Sequence, residues 1–193
     1  MSSSVKKDIV LPVIIMTAVC VIMTLLLASA NTLTRDRIAA LAVQADQSSR
    51  ASILPEAAVF TNLKVPDGSK NVSAVLEGKD ASGKSVGFIL TSASRGYGGL
   101  ITIMTGIGAD GKIRAIQVIK DFETPGLGKR VREDAFLAPF TGKSASLVFT
   151  VKPDDTVLTH IDAVSGATIS SRGMVDAVNI ACAAYRAIKG GVN

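Results

Sequence analysis

A short segment near the carboxyl end concentrates hydroxyl side chains around one glycine. It reads DAVSGATISS and spans residues 162–171, with hydroxyls on Ser165, Thr168, Ser170 and Ser171. A serine or threonine acts as a nucleophile only beside a base, and the single histidine of the chain, His160, gives weak support for such a pair. The sequence also lacks a Gly-x-Ser-x-Gly elbow, so a serine hydrolase is not favoured. On chemistry alone, all four hydroxyls remain candidates for an attached or bound group.

Two other segments are rich in small residues, SRGYGG at 94–99 and ETPGLG at 123–128. Glycine permits positive φ angles and a close approach of backbone to a ligand, although each segment alone could be a tight turn. Both lie at the ends of predicted strands, and DAVSGAT precedes a predicted helix. A helix start offers free N–H groups and a positive dipole end, which favour phosphate. Neither a Walker A pattern nor a Gly-x-Gly-x-x-Gly follows a strand, so the segments predict only a phosphate-bearing ligand.

Composition narrows the classes of function. The net charge is +5 and the pI is about 9.4, but there is no tryptophan and the aromatic content is 4%. The densest basic cluster is only Lys129, Arg130 and Arg132, so nucleic-acid binding is not predicted. Two distant cysteines, no Cys-x-x-Cys and one histidine predict neither a disulfide framework nor a metal site.

The amino-terminal part carries an uncharged apolar run from Ile9 to Ala30. As a helix this run is about 33 Å long, enough to cross a bilayer. Ala28-Ser29-Ala30 imitates a signal-peptidase site, but the run is longer than a signal's apolar region, which favours a retained anchor over residues 1–30. Basic residues flank the run almost evenly on both sides. We expect a single-pass protein of the cell (inner) membrane with its carboxyl-terminal part on the extracytoplasmic side.

The remaining chain predicts a helical stalk and one compact domain. Loosely helical apolar spacing over 31–56, stopped at Pro55, predicts the stalk, and residues 57–193 form the domain. SAVLEG with SVGFILTS, and LITIMTGI with KIRAIQVI, predict two antiparallel hairpins. A short helix near 129–138, strands near 147–151 and 157–161, and a helix over 171–189 follow. The predicted class is therefore α+β, one mostly antiparallel sheet packed by helices.

The three small-residue segments also carry a resemblance to a known family. DAVSGAT resembles the flavinylation motif Asp-x-x-Ser/Thr-Gly-Ala-Thr/Ser, in which a flavin transferase joins the phosphate of FMN to the last hydroxyl. GYGGLITIMTGIGADGKI and ETPGLG resemble the FMN-binding domain shared by G subunits of Rnf complexes and C subunits of sodium-translocating NADH:quinone reductases. The anchor, stalk and length are most similar to the G subunits. The resemblance covers nearly the whole chain.

This resemblance implies a cofactor and its attachment residue. It implies FMN held covalently as a phosphoester on Thr168, with Asp162, Ser165, Gly166 and Ala167 as the recognition context. It further implies that the other two segments line the flavin ring, through Tyr97, Gly98, Gly99, Glu123, Thr124, Pro125 and Gly126. A separate enzyme would activate Thr168, which explains why no histidine base is needed beside it.

The function implied by the resemblance is electron transfer within a membrane-bound, ion-translocating oxidoreductase complex. The implied partners are other subunits of that complex, a flavin transferase during maturation, and membrane lipid. Two alternatives remain open at the level of sequence: a free-standing extracytoplasmic flavin reductase, and a structural membrane subunit without a cofactor.

Overall fold

A computed structural model describes residues 3–152 and 158–190 of the chain. The chain divides into two compact units, Met1–Gln47 and Ser48–Asn193. The predicted division into residues 1–30, 31–56 and 57–193 stays a prediction.

The first helix, α1, runs from Ser3 to Ile53. Within it, the stretch beginning at Val10 is long and apolar enough to cross a membrane, with a mean hydropathy of 2.8 over its most apolar window. Thr17 and Thr24 donate their hydroxyls to the carbonyls of Val13 and Cys20, at 2.8 and 2.7 Å. Their polar groups are thus satisfied inside the helix, as a hydrocarbon environment requires.

Five antiparallel strands form one sheet in the order β1-β2-β3-β4-β5. The strands are β1 (Val59–Leu63), β2 (Val72–Lys79), β3 (Ser85–Arg95), β4 (Leu100–Gly108) and β5 (Ile113–Lys120). The two predicted hairpins, β2-β3 and β4-β5, are confirmed, and the predicted α+β class with them. The sequence analysis did not predict β1, which pairs with β2 at the edge of the sheet.

Both faces of the central strands are covered. Phe88 and Leu90 of β3 belong to the main core beneath the last helix, whereas Ile89 between them belongs to a smaller cluster on the opposite face. Ile53 and Leu54, at the end of α1, complete that smaller cluster. Because successive residues of a strand point to opposite faces, a sheet buried on both sides requires an almost continuous apolar run.

The last helix, α3, runs from Thr168 to Gly190. The predicted start at Ser171 is wrong by three residues, because the carbonyl of Ala167 already accepts the Ser171 N–H at 2.9 Å. The helix packs on β3, where the buried Ser92 hydroxyl donates to the carbonyl of Ala177 at 2.8 Å. This contact fixes the position of α3 along the sheet.

The connection between β5 and α3 contains several short elements. The single helix predicted near 129–138 is wrong: the chain forms a 3-10 turn (Gly128–Arg132), the short helix α2 (Asp134–Leu137) and a second 3-10 turn (Ala138–Phe140). Glu133 is extended, with φ −73° and ψ 146°, and it interrupts the helical path.

The two strands predicted after this connection are shorter than expected. They are β6 (Phe149–Thr150) and β7 (Thr159–His160), which pair in parallel. Val157, the predicted first residue of the second strand, lies outside the described residues. The Asn179 side chain of α3 holds β6 by bonding both the N–H and the carbonyl of Phe149, each at 2.9 Å.

Candidate functional site

The first loop of the site joins β3 to β4. The register pairs Arg95 with Leu100, and the Gly96 N–H donates to the Gly99 carbonyl at 2.8 Å to close the turn. Gly98 lies directly against the backbone that leaves β5. A Cβ atom at Gly98 would lie 2.8 Å from the carbonyl carbon of Phe122 and would overlap its oxygen. Only a residue without a side chain fits this approach.

The second loop, ETPGLG, makes a tight turn directly after β5. Thr124 accepts hydrogen bonds from the N–H groups of Leu127 and Lys129, at 3.3 and 3.1 Å. Pro125 occupies the second position of this turn and Gly126, at φ +77°, the third. A proline followed by a residue of positive φ is the arrangement of a type II turn. The turn places Leu127 and Gly128 at the start of the 3-10 segment.

The third loop, DAVSGAT, turns at Ser165 and Gly166 and leads into α3. Gly166 has a φ of +75°, a conformation that L side chains rarely adopt. The Ser171 hydroxyl accepts from the Val164 N–H and donates to the Ala167 carbonyl, each at 3.0 Å. A buried hydroxyl of the helix thus fixes the shape of the loop that precedes it.

The three loops meet because α3 approaches the β3–β4 turn closely. A Cβ atom at Gly173 would lie 2.6 Å from the Arg95 carbonyl oxygen and 2.9 Å from Gly96 Cα, so the helix touches this backbone directly. Glu123 joins the first two loops to the start of α3. One of its oxygens accepts the Gly98 N–H at 3.1 Å, and the other accepts the Ser170 hydroxyl.

Between the loops lies a cleft of about 570 Å³. Its lining residues are Tyr97, Thr124, Leu127, Gly128, Gly166, Ala167, Thr168, Ile169 and Ser170. This volume lies within the range of small-molecule and cofactor sites, about 300–1,000 Å³. Tyr97, Leu127 and Ile169 expose apolar surface there, with Tyr97 71% exposed, so a planar aromatic group could pack against them.

The start of α3 gives the cleft a polar end. The first turn of a helix has N–H groups without an intrahelical acceptor. Ala167, just before Thr168, has no side-chain oxygen to accept one of them, and the first turn contains no acidic residue. An anionic group is favoured at this position by the free donors and by the helix dipole.

The site residues predicted from the sequence divide into two groups. Five of them line the cleft: Tyr97, Thr124, Gly166, Ala167 and Thr168. The others lie in the same three loops without lining it: Asp162, Ser165, Gly98, Gly99, Glu123, Pro125 and Gly126. Asp162 is fully exposed beside His160, whose Nε2 lies 3.2 Å from its Oδ1, and Glu123 is 2% exposed.

Four lining residues were not among the predicted cofactor contacts: Leu127, Gly128, Ile169 and Ser170, the last of which was a candidate only as a hydroxyl. Leu127 and Gly128 are the last two residues of the ETPGLG segment, so the sequence could have indicated them as part of the site. Ile169 and Ser170 reach the cleft because α3 begins earlier than predicted.

The four hydroxyls of the third loop and the first turn of α3 differ in their surroundings. Ser170 and Ser171 are 2% and 0% exposed, and both are engaged in the hydrogen bonds described above. Ser165 is exposed but does not line the cleft, whereas Thr168 is exposed and lines it. Thr168 is therefore the hydroxyl that combines solvent access with a position at the start of α3.

Charged groups near the ETPGLG loop are partly paired. The Asp121 carboxylate accepts the Glu123 N–H at 3.2 Å through one oxygen, and the other lies 3.3 Å from Arg132 Nη1. The Lys120 ammonium lies 5.0 Å from the ring centroid of Phe122, within cation–π distance. Asp121 and Arg132 thus tie the start of the ETPGLG loop to the 3-10 segment.

Comparisons with known proteins agree with this arrangement. A family model for the FMN-binding domain matches residues 96–183, which contain all three loops. The G subunit of the ion-translocating oxidoreductase complex of Methanosarcina acetivorans is 33% identical over 184 residues, covering 91% of this chain and 94% of the relative. The G subunit of the Na(+)-translocating ferredoxin:NAD(+) oxidoreductase complex of Acetobacterium woodii is 34% identical over 195 residues. The alignment covers 94% of this chain and 91% of that relative.

One solved structure is similar in fold. The crystal structure of the C subunit of the Na(+)-translocating NADH-quinone reductase from Parabacteroides distasonis aligns with a TM-score of 0.52 at 21% identity. The alignment covers 62% of this chain and 64% of that chain.

Proposed function

The chain belongs to the family of G subunits of ion-translocating oxidoreductase complexes, and we propose that it carries electrons in such a complex through FMN esterified to Thr168. It is an electron-transfer subunit of a membrane-bound complex, and its partners are the other subunits of that complex. The observation that carries the proposal is that three distant segments converge on one cleft, which exposes the Thr168 hydroxyl at the start of a helix.

The residues of the cleft fit FMN at both of its ends. The phosphate, esterified to Thr168 Oγ1, would lie by the free N–H groups of the α3 first turn. Tyr97, Leu127 and Ile169 would pack against the flavin ring system in the cleft that Thr124 and Gly128 also line. When bound, FMN supplies the ring that accepts and releases electrons, and the protein supplies its position and electrostatic surroundings.

The attachment requires no base within this chain. A flavin transferase would activate the Thr168 hydroxyl toward a donor that carries FMN in a phosphoanhydride. The threonine oxygen would form the new P–O bond as the anhydride P–O bond breaks, and the displaced phosphate would leave with the hydroxyl proton. The net change is the gain of FMN less one water. Gly166 and Ala167 add little bulk beside the acceptor, and Ser165 and Asp162 are exposed where a maturation enzyme could bind them. These features support, together, an attachment made by another protein.

A covalent bond is most useful where lost cofactor cannot be replaced. We therefore place the flavin domain on the extracytoplasmic side of the cell membrane, with α1 in contact with lipid. The tether keeps the local concentration of cofactor high without tight noncovalent binding. Labelling of a cysteine introduced at the exposed Ser82 with an impermeant maleimide on intact cells tests this side, since Cys182 is buried and Cys20 lies within the apolar run.

The experiment that tests the attachment is an intact-mass measurement of the full chain, co-expressed with a flavin transferase. We expect a gain equal to FMN less one water, abolished by Thr168→Val and retained by the control Ser165→Ala. Addition that persists in Thr168→Val would move the attachment to a serine. A wild-type chain that gains no mass despite an active transferase would contradict the proposal and favour a subunit without a cofactor.

A further inference from the structure

Glu123 is a buried carboxylate at the centre of the site, and its side chain faces loops rather than solvent. It is 2% exposed, yet its neighbours Thr124, Gly128 and Ser170 all line the cleft. Its carboxylate therefore lies immediately behind the cleft wall.

Both carboxylate oxygens accept hydrogen bonds from protein donors. The Gly98 N–H reaches Oε1 at 3.1 Å, and the Ser170 hydroxyl reaches Oε2. The Gly98 N–H can only donate, so Oε1 is an acceptor, and the Ser170 hydroxyl is placed to donate to the second oxygen.

The surrounding backbone is fitted closely to this carboxylate. A Cβ atom at Gly96 would overlap Oε1, and one at Gly128 would lie 2.7 Å from Oε2. Two glycines from different loops therefore leave space for the carboxylate alone. A side chain at either glycine would therefore displace the carboxylate.

No basic side chain neutralises this charge within the described part of the chain. None of the ion pairs formed by residues 3–152 and 158–190 at up to 4.0 Å involves Glu123. The nearest acidic neighbour in sequence, Asp121, is paired with Arg132 and binds the Glu123 N–H. Glu123 is thus a buried carboxylate beside the cleft without an ion-pair partner among those residues.

From these observations, and on the basis of the proposed function, we infer that Glu123 is a positioning residue that joins the first two loops to the start of α3 and, as a buried carboxylate, lowers the reduction potential of FMN in the cleft. Reduction adds negative charge to the bound group. A fixed like charge in surroundings of low dielectric constant opposes that addition, because Coulomb interactions there are screened far less than in water. Removing the charge without changing the shape should therefore make the flavin easier to reduce.

The variant that separates charge from shape is Glu123→Gln. A glutamine oxygen can accept the Gly98 N–H, and its amide can donate to Ser170 Oγ, so both links between loops can be kept. The matched control is Ser170→Ala, which keeps the charge and removes one of the links. The full FMN-loaded chain in detergent is titrated by spectroelectrochemistry, and intact mass confirms loading for each protein.

We expect Glu123→Gln to raise the ratio of reduced to oxidised flavin at fixed potential about tenfold, a shift of about 30 mV for a two-electron couple. Ser170→Ala should change that ratio less than about threefold, which is a shift of less than about 15 mV. A glutamine variant that shifts no further than Ser170→Ala, or shifts in the opposite direction, would overturn the inference while leaving the FMN attachment intact.

If Glu123→Gln fails to load, the pair Glu123→Asp and Glu123→Asn replaces it. Both shorten the side chain equally, and they differ in charge, with an amide nitrogen in place of one carboxylate oxygen. The asparagine variant should be the more easily reduced, again by about tenfold, and equal potentials would refute the inference. A wild-type chain without FMN would overturn the proposed function and this inference with it.

Discussion

The closest backbone approach in the site gives the sharpest prediction about its construction. Gly98 lies against the carbonyl group of Phe122, and a methyl group there would lie 2.8 Å from the carbonyl carbon. That is about 0.7 Å short of the lower end of the optimal carbon–carbon separation. Backbone stands on both sides of the contact, so no side-chain rotation can relieve it. The loop must move away from β5.

The expected cost of Gly98→Ala has two parts. Overpacking of this kind costs about 1–3 kcal/mol, and the upper part of that range applies when backbone is displaced. The displacement also weakens the bond from the Gly98 N–H to Glu123 Oε1, worth about 1.5–3 kcal/mol for a charged acceptor. We expect the free energy of unfolding to fall by about 3–5 kcal/mol. At about 3 °C per kcal/mol for a domain of this size, the melting temperature falls by about 10 °C.

Differential scanning calorimetry of the full chain in detergent measures this change, and intact mass after co-expression with a flavin transferase measures FMN loading. The control is Gly83→Ala. Gly83 has a φ of +83°, and a methyl group added there would have nothing within 4 Å, so only backbone strain of about 1–2 kcal/mol applies. Gly98→Ala should melt lower than this control and load less FMN. Equal melting of the two variants, with full loading of Gly98→Ala, would refute the reasoning about this contact.

Two further predictions concern α3. Ser171→Ala removes the acceptor of the Val164 N–H and should lower the free energy of unfolding, measured by chemical denaturation, by about 1–2 kcal/mol. The control Ser73→Ala removes an exposed hydroxyl of β2 that donates to the Thr91 carbonyl at 3.4 Å, and it should change this free energy by less than about 0.5 kcal/mol. Burial raises the pKa of the Cys182 thiol from 9.0 to about 11, with a smaller opposing effect of Arg186. The neutral buried thiol contributes about 2.7 kcal/mol to the free energy of unfolding below pH 9. This contribution is lost as the pH rises from 9 to 11, because the thiol of the unfolded chain ionises first. Denaturation across that range, relative to Cys182→Ala, measures the loss, and parallel pH profiles of the two proteins would contradict it.

The central sheet was predictable because its strands carry clear patterns. β2 to β5 are apolar runs separated by Asp- and Gly-containing turns, and such turns are strong local signals. The edge strand β1 was missed because VFTNL is short and only partly buried, so its pattern is weak. Its pairing depends on β2, a contact that local sequence does not encode.

The helical elements near the site were harder to predict, for different reasons. The segment 129–138 has helical spacing, but Glu133 is extended and Pro139 lies in the last 3-10 turn, so tertiary contacts divide it. The start of α3 was placed too late because Ala167 gives none of the usual signals of a helix start. The same absence of a capping side chain leaves donors free at Thr168.

The three segments of the site could be identified from the sequence, but their mutual contacts could not. Nothing in the sequence relates Gly98 to Glu123, or Glu123 to Ser170, since 25 and 47 residues separate these partners. From the neighbouring sequence alone, the glycines at 96, 128 and 173 indicate only turns or a weakened helix. Their common reason is close packing between distant parts of the chain.

The end of α1 has a consequence for where an independently folding fragment can begin. Ile53 and Leu54 are 2% and 3% exposed and cover the face of the sheet formed by Leu76, Ile89 and Met104. A soluble fragment cut at residue 57 would lack these two covering residues and forfeit about 3–6 kcal/mol of apolar burial. A fragment that begins at Ser48 retains the covering residues. The amino-terminal boundary of an independently folding fragment therefore lies inside α1. It precedes by several residues Pro55, the residue at which the sequence predicts the end of the stalk.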